Sequence, residues 1–171
     1  MTDEVIEVRK AYGDYVIKLI KKGITISTME SCTAGLIASL LTDVEGASAA
    51  YKGGFVTYSN EAKIQAGVPK NVINDHGVYS KKTAQAMALA ASRHFDTDIA
   101  VGITGTFANA DPANADSAPG EVYVSVLFDG RYFDRALRLP EFYERWKYKL
   151  AVAKEVISVL ELTSVYFVAY I

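Results

Sequence analysis

The sequence predicts an α/β protein, a three-layer α/β/α sandwich around a mixed, mostly parallel central sheet. Three observations carry the prediction. Helical apolar periodicity and short β-rich runs alternate from the N-terminus to Ile103. Two alternating apolar and polar runs meet at Asp129-Gly130, a hairpin signal. A long helical pattern follows them. Early alternation calls for parallel strands joined by crossover helices, and a late hairpin adds antiparallel ones. The order α β α β α α β, hairpin, α therefore gives a sheet covered on both faces.

Each element has its own signal. Residues 3–22 carry Val5, Ile6, Tyr12, Val16, Leu19 and Ile20 among charges, an apolar stripe at helical spacing that stops at Gly23. Ile24 to Met29 is a short β-rich run, and the small residues of ESCTAG turn it into the helix-competent LIASLLT. Tyr51 to Tyr58 (YKGGFVTY) reads as a second strand, with Ser59 or Asn60 placed to cap the helix that begins EAKIQAG. Ser80 caps KKTAQAMALAASRHF, whose Ala-rich body favours helix. Ile99 to Ile103 is a buried-type strand, and Glu121 to Phe128 pairs with Tyr132 to Leu139 in the hairpin. Pro140 introduces a long helix from about Glu141 to Leu162.

The composition narrows the function classes. No linker, repeat or low-complexity tract divides the 171 residues, so residues 1–171 are expected to form one domain. One Cys excludes a disulfide framework, and one Cys with two His is too few for a structural zinc site or a well-supplied His triad. Twenty acidic against 18 basic residues give no overall pull toward nucleic acid or an anionic membrane. MTDEVIEVRK is not a signal peptide, and no apolar run approaches the roughly 20 residues of a spanning helix. The expectation is a soluble, cytoplasmic domain with neither nucleic acid nor membrane as partner. Val165 to Ile171 (VYFVAYI) is apolar, and reads as a last turn or strand buried in the core or in a subunit contact.

Sites in such sheets gather at the carboxyl ends of parallel strands. Three loops qualify: Glu30 to Gly35, Tyr58 to Lys63, and Thr104 to Gly120. Ser31 sits on a strand-to-helix turn, where it is either a nucleophile or simply a helix cap. Cys32 beside it is a rival nucleophile or an inert buried thiol. A serine needs a base, and Lys63 at the start of a helix can serve if its pKa is depressed; otherwise it is an ordinary solvated lysine. Tyr58 ends a strand and is a packing residue or a pocket hydroxyl. Neither G-x-G-x-x-G, a P-loop, S-x-x-K nor G-x-S-x-G occurs at these positions. His76 and His94 have no metal-binding spacing and read as surface or packing residues.

ESCTAGLIASLLTDVEGAS, YKGGFVTYSNEAKIQAGV, HGVYSKKTAQAMA and DIAVGITG, in that order, resemble the CinA C-terminal family, whose activity is nicotinamide-nucleotide amidase of the PncC type. The resemblance runs from Ile24 to Phe128, with a weaker echo in the last helix. It implies a Ser/Lys amidase, without metal or other cofactor, that converts nicotinamide mononucleotide to nicotinic acid mononucleotide and ammonia. In that reading Ser31 is the nucleophile, Lys63 the base and Tyr58 a hydrogen-bonding assistant. Amides of Thr33, Ala34 and Gly35 hold the oxyanion. Glu30, Ser59, Asn60, Thr104 and Gly105 lie at the substrate, and amides around Gly105 with Arg145 and Lys149 meet its phosphate. The family's self-association points to a homodimer or higher homo-oligomer.

Three departures stand out. The family usually has two glycines at Ala34-Gly35, a small change if Gly35 holds the special backbone position. Its T-G-I-A-G-P-x-G-G loop is replaced by a glycine-poor stretch through Thr106 to Pro119, with Asp111 and Asp116 added. The family domain is also often fused behind a nucleotide-hydrolase domain, whereas this chain begins directly with its first helix. Two other functions stay open: a non-catalytic nucleotide-binding or regulatory domain with an altered loop at Phe107 to Asp116, and an amidase for a different small amide. Whether Asp111 or Asp116 points into the phosphate position above Gly105 separates the last.

Overall fold

The computed structural model describes residues 2–115 and 117–169. Helix α1 (Asp3–Lys22) buries Val8, Tyr12, Tyr15, Val16 and Leu19, the inward side of its stripe, and stops at Gly23, whose φ of 65° turns the chain out of the helix. Then follow β1 (Ile26–Glu30), α2 (Leu36–Leu41), a 3-10 turn at Ala47–Ala49, β2 (Tyr51–Val56), α3 (Asn60–Gln65), α4 (Lys70–His76), α5 (Lys81–Phe95), β3 (Ile99–Gly105), β4 (Glu121–Phe128), β5 (Arg131–Arg138), α6 (Arg145–Thr163) and a final 3-10 segment, Ser164–Ala169.

The five strands lie in the order β2-β1-β3-β4-β5. β1 pairs in parallel with β2 and β3, while β4 runs antiparallel to both β3 and β5. The hairpin turns through Asp129 and Gly130, both at positive φ (50° and 69°), as a tight two-residue loop requires.

Side-chain alternation along the strands builds two cores. Ile26, Ile99, Val101, Ile103, Val122, Val124 and Val126 point to a core shared with α1, α2 and α6. Met29, Ala100 and Leu127 point to the opposite core, with Ile73 of α4 and Met87, Ala88 and Ala91 of α5. This is the predicted three-layer arrangement. Each fully buried large aliphatic side chain contributes about 1.5–3 kcal/mol of burial free energy.

Four features differ from the sequence reading. α4 lies where only turn was expected; KNVINDH is mostly polar and buries Ile73 alone, too little apolar periodicity to register. β3 runs on through Thr104 and Gly105 because these pair with Tyr123 and Val122 of β4. α6 starts at Arg145 rather than near Glu141; the Phe142 amide is instead drawn to the Tyr148 hydroxyl at 2.9 Å. In the apolar tail, Phe167 is buried beside Tyr15 and Phe128, but Val165 and Tyr166 are exposed. Tyr170 and Ile171 lie outside the described residues. No helix among the described residues is long and apolar enough to cross a membrane.

Parallel pairing decides where chemistry can gather. Glu30 is in register with both Ile103 and Val56, so the loops that leave β1, β2 and β3 emerge side by side.

Candidate active site

Ser31 is the first residue beyond β1, and its amide donates to the Ile103 carbonyl at 3.1 Å, which ties it to the end of β3. The chain then turns sharply, with Ala34 at φ 51° and Gly35 at φ 90°. Gly35 holds the special backbone position, as expected, but Ala34 shares it. A Cβ in left-handed backbone costs about 1–2 kcal/mol, a strain the family's first glycine would avoid.

What stabilises that turn is Glu30. Its fully buried carboxylate accepts from the amides of Gly35 (3.0 Å), Ile37 (3.1 Å) and Ala38 (2.8 Å). The orphan donors at the start of α2 are thus spent on the protein's own anion. Ala34's amide donates to the Ser31 carbonyl at 3.0 Å. Of the three amides expected at an oxyanion, only that of Thr33 has no protein acceptor among the described residues. The Thr33 hydroxyl is likewise buried without a partner among the described residues.

Lys63 comes from α3, whose N-cap Ser59 accepts from the Ala62 amide at 3.1 Å. The Thr57 amide donates to the Glu30 carbonyl at 2.8 Å, which keeps the segment after β2 alongside β1. Lys63 is only 1% exposed. Its Nζ donates to the Thr57 carbonyl at 2.8 Å and to Ser31 Oγ at 3.1 Å. Burial pulls its pKa from 10.5 down to about 8, against a smaller upward pull from Cys32 and Asp111. About a tenth of such lysines are neutral at pH 7. The Cys32 thiol, by contrast, is pushed up to about 12 by its burial, so it holds almost no thiolate at neutral pH.

Ser31 and Lys63 open onto a cleft of about 500 Å³, in the usual range for a small-molecule site. Of the predicted residues, Tyr58, Ser59, Asn60, Gly105 and Arg145 also line it. Tyr58 is 59% exposed, and its hydroxyl accepts from Arg145 at 2.9 Å rather than touching Ser31 or Lys63. The Arg145 guanidinium lies over the Phe107 ring, 5.0 Å from its centroid, and Phe107 stacks on Tyr148. Gly105 is glycine because β4 passes too close: a Cβ there would sit 2.5 Å from the Glu121 carbonyl oxygen.

The other predicted residues lie elsewhere. Glu30, Thr33, Ala34 and Gly35 form the turn behind Ser31 and do not line the cleft. Thr104 donates to the Val78 carbonyl at 2.9 Å and braces β3 against the segment before α5. Lys149 also lies off the cleft, as do His76, at the end of α4, and His94, which packs on Phe55 and Phe95.

The glycine-poor third loop supplies the remaining wall. Asp111 lines the cleft together with Asn109, Ala113, Asn114 and Tyr79. Its carboxylate accepts from the Tyr79 hydroxyl at 2.6 Å, from the Asn114 side-chain amide and from the Ala113 amide at 3.0 Å. Asn60 donates to Asn114 at 2.9 Å and so joins this loop to α3. Asp116 lies outside the described residues. Tyr79, Glu61, Asn109 and Asn114 were not singled out in the sequence. Only the Asp111-to-Asn114 spacing carried a local signal, that of an Asp-headed turn.

The model of the CinA C-terminal domain family matches residues 9–163. A CinA-like protein of Mycolicibacterium gilvum is 44% identical over 134 residues, covering 76% of this chain and 31% of that one. One of Dictyoglomus turgidum is 34% identical over 147 residues, covering 78% and 36%. The chain spans about a third of the length of these curated relatives. The competence/damage inducible protein CihA of Agrobacterium tumefaciens superposes with a TM-score of 0.80 at 30% identity, over 92% of this chain and 94% of the other. A CinA superfamily protein of Klebsiella pneumoniae shares the fold with a TM-score of 0.84 at 23% identity, over 93% and 98%.

Proposed function

The chain belongs to the CinA C-terminal domain family, and on that footing we propose that its cleft hydrolyses the carboxamide of nicotinamide mononucleotide, giving nicotinic acid mononucleotide and ammonia. The observation that carries the proposal is the buried Lys63 amine 3.1 Å from Ser31 Oγ. In its neutral form Nζ accepts the Ser31 proton as Oγ bonds to the carboxamide carbon. Collapse of the tetrahedral intermediate breaks the C–N bond, and the Lys63 ammonium returns the proton to the departing nitrogen. Water, deprotonated by the same amine, then attacks the acyl-enzyme; its C–O bond to Ser31 breaks and the hydroxyl is regenerated. Arg145 is the cleft cation available to the phosphate.

Ammonia release from the wild type, Ser31→Ala and Lys63→Ala tests this reading. Loss of turnover in both variants is expected, and undiminished turnover in both refutes the dyad. Hydrolysis of a different small amide is the second reading, favoured by Asp111 in the cleft wall. A homodimer is proposed as well, supported by the exposed Leu162, Val165 and Tyr166. A concentration-independent monomer mass by light scattering would refute it.

A further inference from the structure

The charges around the cleft do not suit a simple phosphate receptor. Among the described residues, its charged lining is Glu61, Lys63, Asp111 and Arg145. When Lys63 is neutral, as the reaction needs, two carboxylates face one guanidinium. Arg145 is held by Tyr58 and Phe107. Asp111 is carried by the loop that departs from its family, and it is fixed in place. Its Oδ2 accepts from Tyr79 and Asn114, whereas among the described residues Oδ1 accepts only from the Ala113 amide, which leaves an acceptor position on Oδ1. The Tyr79 and Asn114 hydrogen bonds also hold the carboxyl below its usual pKa, so it is an anion at neutral pH.

We propose that Asp111 is a specificity residue that selects a carboxamide on a positively charged, nitrogen-substituted ring over one on a neutral ring. The proposal rests on the amidase reading of the same cleft and deepens it. A pyridinium nucleotide is a zwitterion, with a cation on the ring and an anion on the phosphate, and the carboxylate and the guanidinium complement its two charges. A fixed carboxylate acts on the ring without a reorganisation cost at binding. The ring stays cationic throughout amide hydrolysis, so Asp111 binds ground state and transition state alike. Its removal therefore raises KM and, above the Lys63 midpoint where the base is already neutral, spares kcat.

Three ligands separate ring charge from phosphate: nicotinamide mononucleotide, nicotinamide riboside without the phosphate, and reduced nicotinamide mononucleotide with a neutral ring. Calorimetric affinities are measured for the full chain carrying Ser31→Ala, with and without Asp111→Asn. Asp111→Asn is expected to weaken both cationic-ring ligands about tenfold and to leave the reduced nucleotide within about twofold. The unchanged reduced ligand also reports an intact fold. Equal weakening of all three would assign Asp111 to loop structure alone and overturn the proposal. So would tighter binding confined to the two phosphorylated ligands, which would place the carboxylate at the phosphate. Unchanged affinities, or no binding of any ligand, likewise overturn it. Absence of ammonia release from the wild type, with the charge-selective binding pattern present, would sink the amidase reading and leave the ring-charge selection standing.

Discussion

Acidifying the assay from about pH 9 to about pH 6 titrates the proposed base. Burial holds Lys63 at a pKa of about 8. The neutral amine is then about half of the enzyme at pH 8, about a tenth at pH 7 and about a hundredth at pH 6. A solvated lysine would be neutral in only about three molecules per ten thousand at pH 7, so its buried position raises the supply of base roughly 300-fold. With nicotinamide mononucleotide as substrate and ammonia release as readout, kcat/KM should fall about tenfold per pH unit on the acid side, with a midpoint near 8. Asp111 favours the ammonium form of Lys63, so Asp111→Asn should move that midpoint to lower pH. A profile flat from about pH 6 to about pH 9 would refute Lys63 as base. A limb still rising above about pH 10 would refute the role of burial.

Stability offers three further tests. The folded pKa of Lys63, near 8, lies below its ordinary 10.5, so the unfolded chain binds more protons between these values. Stability linked to this group is fully present above about pH 10.5 and lost as pH falls through about 8, in total about 3 kcal/mol. Lys63→Met should therefore gain about that much relative to wild type on going from pH 10.5 to pH 7, read by urea denaturation; a pH-independent difference would contradict the linkage. Glu30→Gln replaces a charged acceptor of three amides by a half-donor. It should cost about 3 kcal/mol and lower Tm by about 6–12 °C, and a Tm within about a degree of wild type would refute the role. Ala34→Gly relieves the left-handed backbone at φ 51°. The net gain, after the glycine's extra unfolded entropy, should be about 0.5–1 kcal/mol by the same denaturation assay, and a loss of stability would show that the turn is unstrained.

The elements were most legible where local chemistry is strong. Gly23, Ser59, Ser80 and Asp129-Gly130 each mark an end that a cap or turn creates by itself, and the structure places ends at all four. α4 escaped because a seven-residue helix with one buried side chain owes its existence to packing rather than pattern. In the cleft, Glu30 reads locally as one more polar residue at a substrate. Its burial decides otherwise, since a carboxylate enclosed next to free amides satisfies them first. Tyr79 gives no sequence signal for the cleft because it enters from the segment before α5, and Asn114 lies in a candidate loop whose contact with Asn60 spacing alone does not show.

The sequence by itself determined the layer order, the hairpin and the residue types available for chemistry, because capping, turn geometry and apolar period act between near neighbours. Tertiary structure decided which of those residues meet. It brings Lys63 across 32 positions to Ser31 and removes it from water, and that burial lowers its pKa. It likewise spends Glu30 on the α2 amides and turns Asp111 into the cleft. Such effects depend on distance and solvent exclusion in three dimensions, which spacing along the chain does not encode.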